Sequence, residues 1–175
     1  MTKETEQSQP PIGKLLADLA NEIDGIADFG VTACLIDEGN WAGRHGYIVQ
    51  RCGEVCLTVG SIVAFIDQSA VASPPHLLPL RSDLVAGSDQ LLNALSSLEH
   101  FRTLPAEATR SAAESLRAGW EATHQSITQL AAAFGLLDES WCSEVRERQD
   151  AYRNGLEGLM TWLREASIAP CPPGQ

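Results

Sequence analysis

Residues 40–70 read NWAGRHGYIVQRCGEVCLTVGSIVAFIDQSA, and whether this stretch is one helix or several strands decides the fold. Trp41, His45, Ile48, Cys52, Val55, Val59, Ile62 and Ile66 step by threes and fours, the spacing of one helical face. Beside that stripe Gly39, Gly46, Gly53 and Gly60 recur every seventh residue. In a helix such a row leaves a smooth groove into which another helix packs at short range. Against this, a glycine inside a helix costs about 0.8–1.0 kcal/mol relative to alanine. Val55, Leu57 and Val59 also alternate with Glu54, Cys56 and Thr58 as in a half-buried strand, with residues 31–36 and 47–51 as pairing partners. The helical reading is preferred, from about Asn40 to Ala70, because its length matches the helices expected later in the chain. The expected fold is an all-α bundle of four to five helices, with an α+β fold carrying a small N-terminal sheet as the alternative.

The C-terminal part is the most legible. From Pro105 onward Ala113, Leu116, Trp120, Thr123, Ile127, Leu130 and Phe134 form a seam with a period near 3.5. Glu107, Arg110, Glu114, Arg117 and Glu121 alternate in sign on another face, worth about 0.2–0.5 kcal/mol per pair on an exposed helix. Gly135 is a natural left-handed terminator, and Asp138 is placed to cap a second helix lined by Trp141, Val145, Tyr152, Leu156, Leu159 and Leu163. Residues 105–168 are therefore expected to form a long helical hairpin, with Ile127 near Val145, Trp120 near Tyr152 and Leu116 near Leu156. Thr123 and His124 then face Arg148 and Gln149, a polar layer that sets alignment and partner choice.

Between these regions the expectations are coarser. Ile12, Leu15, Leu16, Leu19, Ile23 and Ile26 predict a short first helix ended by Gly25 or Gly30. Three prolines within residues 73–79 predict a break, followed by a short helix capped by Ser88 or Asp89 with Leu91, Leu92, Leu95, Leu98 and Phe101 on one face. Residues 1–10 and 169–175 are expected to be disordered tails around a single domain at 11–168.

Composition narrows the function classes. The chain has 175 residues, 44% of them hydrophobic and only 6% aromatic, with a net charge of -11. An anionic surface repels phosphate backbones, so direct nucleic-acid binding is not expected. Five cysteines without framework spacing and a polar N-terminus point to reduced thiols in the cytoplasm. The most apolar run, Val55–Ile66, is too short to span a bilayer.

No catalytic constellation emerges. Glu121 and His124 have the Glu-x-x-His spacing of carboxylate-bridged dimetal bundles, but a second such pair is missing. His45 lies seven residues from Cys52, about 10.5 Å along a helix, so one ion does not join His45, Cys52 and Cys56. Buried structural thiols are expected there instead. Glu144 and Glu147 supply only half of the acidic magnesium motif of all-α nucleotide pyrophosphohydrolases. No metal, cofactor or catalytic residue is assigned.

Trp41-Ala42-Gly43, between two apolar helical stretches, resembles the Trp-x-Gly turn of the small secreted helical hairpins exported by type VII systems. The resemblance covers about the first 70 residues. The chain departs from that pattern in its cysteines, its additional length and the lack of a Tyr-x-x-x-Asp/Glu signal after the second helix, and the family is not adopted. The expectation is a non-catalytic protein acting through helix surfaces, as an adaptor, assembly subunit or inhibitor, by binding a protein partner or by self-association. Apolar Met160, Trp162 and Leu163 and the glycine groove are the expected contacts. An acidic nucleic-acid mimic, and behind it a metal-binding or enzymatic bundle, are the alternatives.

Overall fold

The computed structural model describes residues 11–35, 41–70, 75–98 and 105–166. Every secondary-structure element among them is an α-helix: α1 (Ile12–Leu35), α2 (Trp41–Ala70), α3 (Leu77–Leu98), α4 (Ala106–Ala133) and α5 (Ser140–Ala166). The deciding stretch is thus one helix of 30 residues, and the N-terminal sheet is ruled out for the described chain. Four glycines inside α2 weaken it by roughly 3–4 kcal/mol. Burial of Ile48, Val55, Val59, Ile62 and Ile66 offsets this by about 8–15 kcal/mol at 1.5–3 kcal/mol per side chain. Packing outweighs propensity.

Two boundaries differ from the expectation. Gly25 and Gly30 do not end α1, which continues to Leu35. The flanking Ile23, Ile26 and Ala27 are fully buried, so the same balance of burial over propensity carries the helix through. Helix α3 begins at Leu77, well before Ser88, and takes Pro79 into its first turn, where the missing amide hydrogen has no helical acceptor to lose. Ser88 is buried in mid-helix and donates to the Val85 carbonyl.

Helix α1 is the centre of the bundle and packs on each of the other four helices. Leu16, Leu19, Ala20, Ile23, Ile26 and Ala27 are all fully buried, a wide arc suited to a helix with neighbours on several sides. Helices α3 and α4 make the most extensive pairing. It is antiparallel, with Gly87 opposite Thr123 and Leu91 opposite Gly119. A Cβ on Gly119 would lie 2.5 Å from the Leu91 backbone nitrogen, and one on Gly87 would lie 3.0 Å from the Thr123 nitrogen. These two glycines bring the backbones together. The heptad glycines of α2 do not serve that purpose: Gly46, Gly53 and Gly60 are exposed, with no atom within 4 Å of an added Cβ.

The hairpin of α4 and α5 forms as expected. The turn is closed by Leu136 N–H to Ala131 O at 2.8 Å and Gly135 N–H to Ala132 O at 3.1 Å, with Gly135 at φ 70°. This double bond pattern satisfies the last carbonyls of α4 and needs a residue free of Cβ strain at Gly135. Asp138 lies two residues ahead of α5, whose first turn is instead joined by Cys142 N–H to Glu139 O at 3.0 Å. Ile127, Val145, Trp141 and Cys142 line one small interhelical cleft, in keeping with the expected register.

Candidate functional site

The polar layer of the hairpin is organised by a residue from outside it. Asp24 of α1 reaches between α4 and α5, where its Oδ1 accepts hydrogen bonds from His124 Nε2 at 2.7 Å and Trp120 Nε1 at 3.1 Å. Its Oδ2 lies 3.5 Å from Arg148 Nε, an ion pair without hydrogen-bond geometry. The Trp120 and His124 rings meet edge to face, 4.7 Å between centroids. Tyr152 lies in the same neighbourhood, its hydroxyl held above the ordinary tyrosine range by burial, with the nearby Asp24 and Asp28 adding to the effect.

Of the four residues expected in this layer, His124 and Arg148 join the cluster. Thr123 is buried but donates to the Gly119 carbonyl at 2.7 Å, and the half-buried Gln149 makes none of the cluster's contacts. The sequence did carry a signal for Asp24: it falls inside the apolar arc of α1, between Ile23 and Ala27. A charged residue in such an arc needs a partner.

A carboxylate bonded to an imidazole is also the orienting half of a general-base pair. Here the His124 side chain is 0% exposed and that of Asp24 is 4% exposed. The free ring nitrogen, Nδ1, is buried without a hydrogen-bond partner. A substrate in solvent does not reach it. The cluster therefore joins three helices, with its carboxylate and imidazole buried and only Arg148 partly exposed. Glu121 points elsewhere and pairs with Arg153 across the hairpin at 3.7 Å, as Arg117 does with Glu157 at 3.9 Å. The alternating charge row thus makes links between α4 and α5, each weak because its side chains are well solvated. No group of three His, Cys, Asp or Glu residues converges among the described residues.

Helices α1 and α2 are joined by a part-buried polar contact. Thr58 donates to Glu22 Oε1 at 2.8 Å, while Glu22 Oε2 is buried without a partner. Burial raises the Glu22 carboxyl above its ordinary 4.5; the Thr58 hydrogen bond opposes this, and Glu54 and Asp18 push it further up. The folded chain therefore binds this proton more tightly than the unfolded chain does. The contribution to stability is greatest on the acid side, falls as pH rises from 4.5 through the folded value, and is a constant penalty above it. Glu22→Gln keeps an acceptor for Thr58 and removes the penalty. Urea melts at pH 7 are expected to show the variant more stable than the parent, with the gap closing below pH 4.5. An equal gap at both pH values would contradict the assignment.

The outward face of α2 is the other candidate. Gly46, Val49, Gly53, Cys56, Leu57 and Gly60 share it, with Val49 56% and Leu57 76% exposed. No charged residue occurs between Glu54 and Asp67. Cys52 is half-buried and Cys56 exposed, so the expectation of buried thiols fails for Cys56. By length and composition alone, Gly46–Ser69 is apolar enough to cross a membrane, although its inward stripe belongs to the bundle core. Met160, expected at an exposed apolar end of α5, is buried. The side chains of Trp162, Leu163 and His45, and Gly39 altogether, lie outside the described residues. No family model, curated protein or solved structure matches this chain.

Proposed function

We propose that the protein is a non-catalytic helical interaction protein, an adaptor, assembly subunit or inhibitor, that works through the outward face of α2. The observation that carries this reading is Leu57, 76% exposed in the middle of an uncharged helix face. Single exposed apolar residues are ordinary on protein surfaces. Here two lie on one face with three glycines whose Cα atoms open a channel for a neighbouring helix. The sealing of the Asp24–His124 pair supports the non-catalytic part of the reading, because the best-placed acid–base pair has no route to a substrate.

Gly53→Leu tests it. A Cβ added at Gly53 meets nothing within 4 Å among the described residues, so the fold is expected to tolerate the exchange. Parallel affinity purifications from the native host, with parent and variant as bait, are expected to lose the same specific partner in the variant, with unchanged far-UV circular dichroism. Equal recovery by both baits would remove the α2 face from consideration.

A further inference from the structure

We propose that Glu22 is a proton-operated latch on α2, holding that helix in the bundle when protonated and loosening it when ionised. This goes beyond the interaction reading above and does not depend on it. Glu22 lies midway along α1, where its Oε1 accepts from Thr58 of α2 at 2.8 Å and its Oε2 is buried without a partner. The charged groups facing it among the described residues are Asp18 on its own helix and Glu54 and Arg51 on α2. Two of the three are carboxylates. The cation among them is already engaged, since Arg51 pairs with Glu54 at 2.8 Å and lies over the Tyr47 ring. Ionising Glu22 therefore places a carboxylate oxygen in the α1–α2 contact with no donor of its own and like charge on either side.

The topology makes the response local to one helix. Thr58, Glu54 and Arg51 all belong to α2, so undocking α2 alone returns Glu22 to water. Among the described helices α2 lies beside α1 and α3 only, with a ring contact from Phe65 to Phe134 at the end of α4. Its four glycines weaken it further. Helix α5 also has only two neighbours, but Arg148 ties it to Asp24, and Arg153 and Glu157 tie it to α4. Sub-global opening starts in the least supported contiguous unit, and here that unit is α2. The sign of the proton effect follows from linkage. With α2 docked, burial above all holds the Glu22 carboxyl above its ordinary 4.5, and Glu54 and Asp18 add to this against the Thr58 hydrogen bond and Arg51. The docked state thus binds the proton more tightly than the undocked one. Docking is fully supported below pH 4.5, weakens as pH rises through the docked value and stays weakened above it.

Hydrogen exchange of the full chain, read by mass spectrometry from pH 4.5 to neutral, tests the latch helix by helix once each rate is corrected for its intrinsic pH dependence. Peptides of α2 are expected to lose protection relative to those of α4 as pH rises. Glu22→Gln keeps an acceptor for Thr58 and carries no charge at any pH. Its α2 peptides are expected to be better protected than the parent's at neutral pH, and the trend against α4 is expected to disappear. Thr58→Val removes the donor that steadies the ionised carboxylate, so α2 is expected to lose further protection at neutral pH while α4 does not. Protection that falls in step in α2 and α4 would mean global loosening and would overturn the local latch. So would a parent α2 whose protection relative to α4 does not fall with pH, or a Glu22→Gln variant that keeps the parent's trend. The purification with Gly53→Leu tests the α2 face separately, and its failure leaves the latch standing.

Discussion

Gly119→Ala is expected to lower the stability of the protein by about 2 kcal/mol in urea denaturation, although alanine is the better helix former. The new methyl would sit 2.5 Å from the Leu91 nitrogen and 2.8 Å from its Cα. Both are backbone atoms, so no rotamer change relieves the clash, and α3 must move away along its pairing with α4. Overpacking of this kind costs about 1–3 kcal/mol, and with backbone on the receiving side the upper end applies. The gain in helix propensity, about 1 kcal/mol, offsets only part of it. Gly53→Ala provides the contrast. That Cβ meets nothing within 4 Å, so the same exchange is expected to stabilise by up to about 1 kcal/mol. Two variants with the same sign would refute the close approach of α3 and α4.

The second large effect belongs to Asp24. Asp24→Ala removes the shared acceptor of His124 and Trp120 and the charge opposite Arg148. Deleting the acceptor leaves the buried His124 and Trp120 N–H groups without a partner, which costs about 1–3 kcal/mol for each. A loss below about 1 kcal/mol, typical of an exposed ion pair, would show that the cluster does not hold α1 to the hairpin. Asp24→Asn retains one acceptor oxygen and is expected to fall between the parent and alanine. In a background with Trp41, Trp141 and Trp162 replaced by Phe, tryptophan fluorescence gives a local readout, because the Trp120 indole N–H bonds directly to the carboxylate.

Gly119 and Asp24 both act through partners on other helices, beyond the reach of a one-dimensional pattern. The hairpin was legible because its information is local: the seam from Ala113 to Phe134 repeats along one helix, and Gly135 ends that helix by its own backbone freedom. Its register followed from counting back across a short turn. Residues 40–70 were legible only as a balance, since four glycines favour leaving the helix and the apolar stripe favours staying in it. Burial against α1 tips that balance, and the sequence of α2 alone does not contain it.

The glycines show the division best. Gly46, Gly53 and Gly60 stand out in the sequence by their regular spacing, yet no described residue lies within 4 Å of a Cβ added at them. Gly119 has no such regularity and makes the closest backbone contact among the described glycines. Spacing fixes which residues share a face, but the identity of the facing helix depends on how all five are arranged. Asp24 follows the same logic. Its position in the α1 arc made it an anomaly, but its partners lie 96 and 100 residues away, a separation that no local period spans.

The sequence by itself thus determined the α4–α5 hairpin and its expected register and the regular spacing of glycines between residues 46 and 60, all set by periodicity and turn chemistry within one or two elements, while the choice of one helix over strands for residues 41–70 came from burial in the bundle. Only the tertiary structure decided that α1 lies at the centre, that Gly87 and Gly119 join α3 to α4, and that Asp24 organises the polar layer. Each of these depends on contacts between helices distant in the chain, whose free energy exists only once the bundle is assembled.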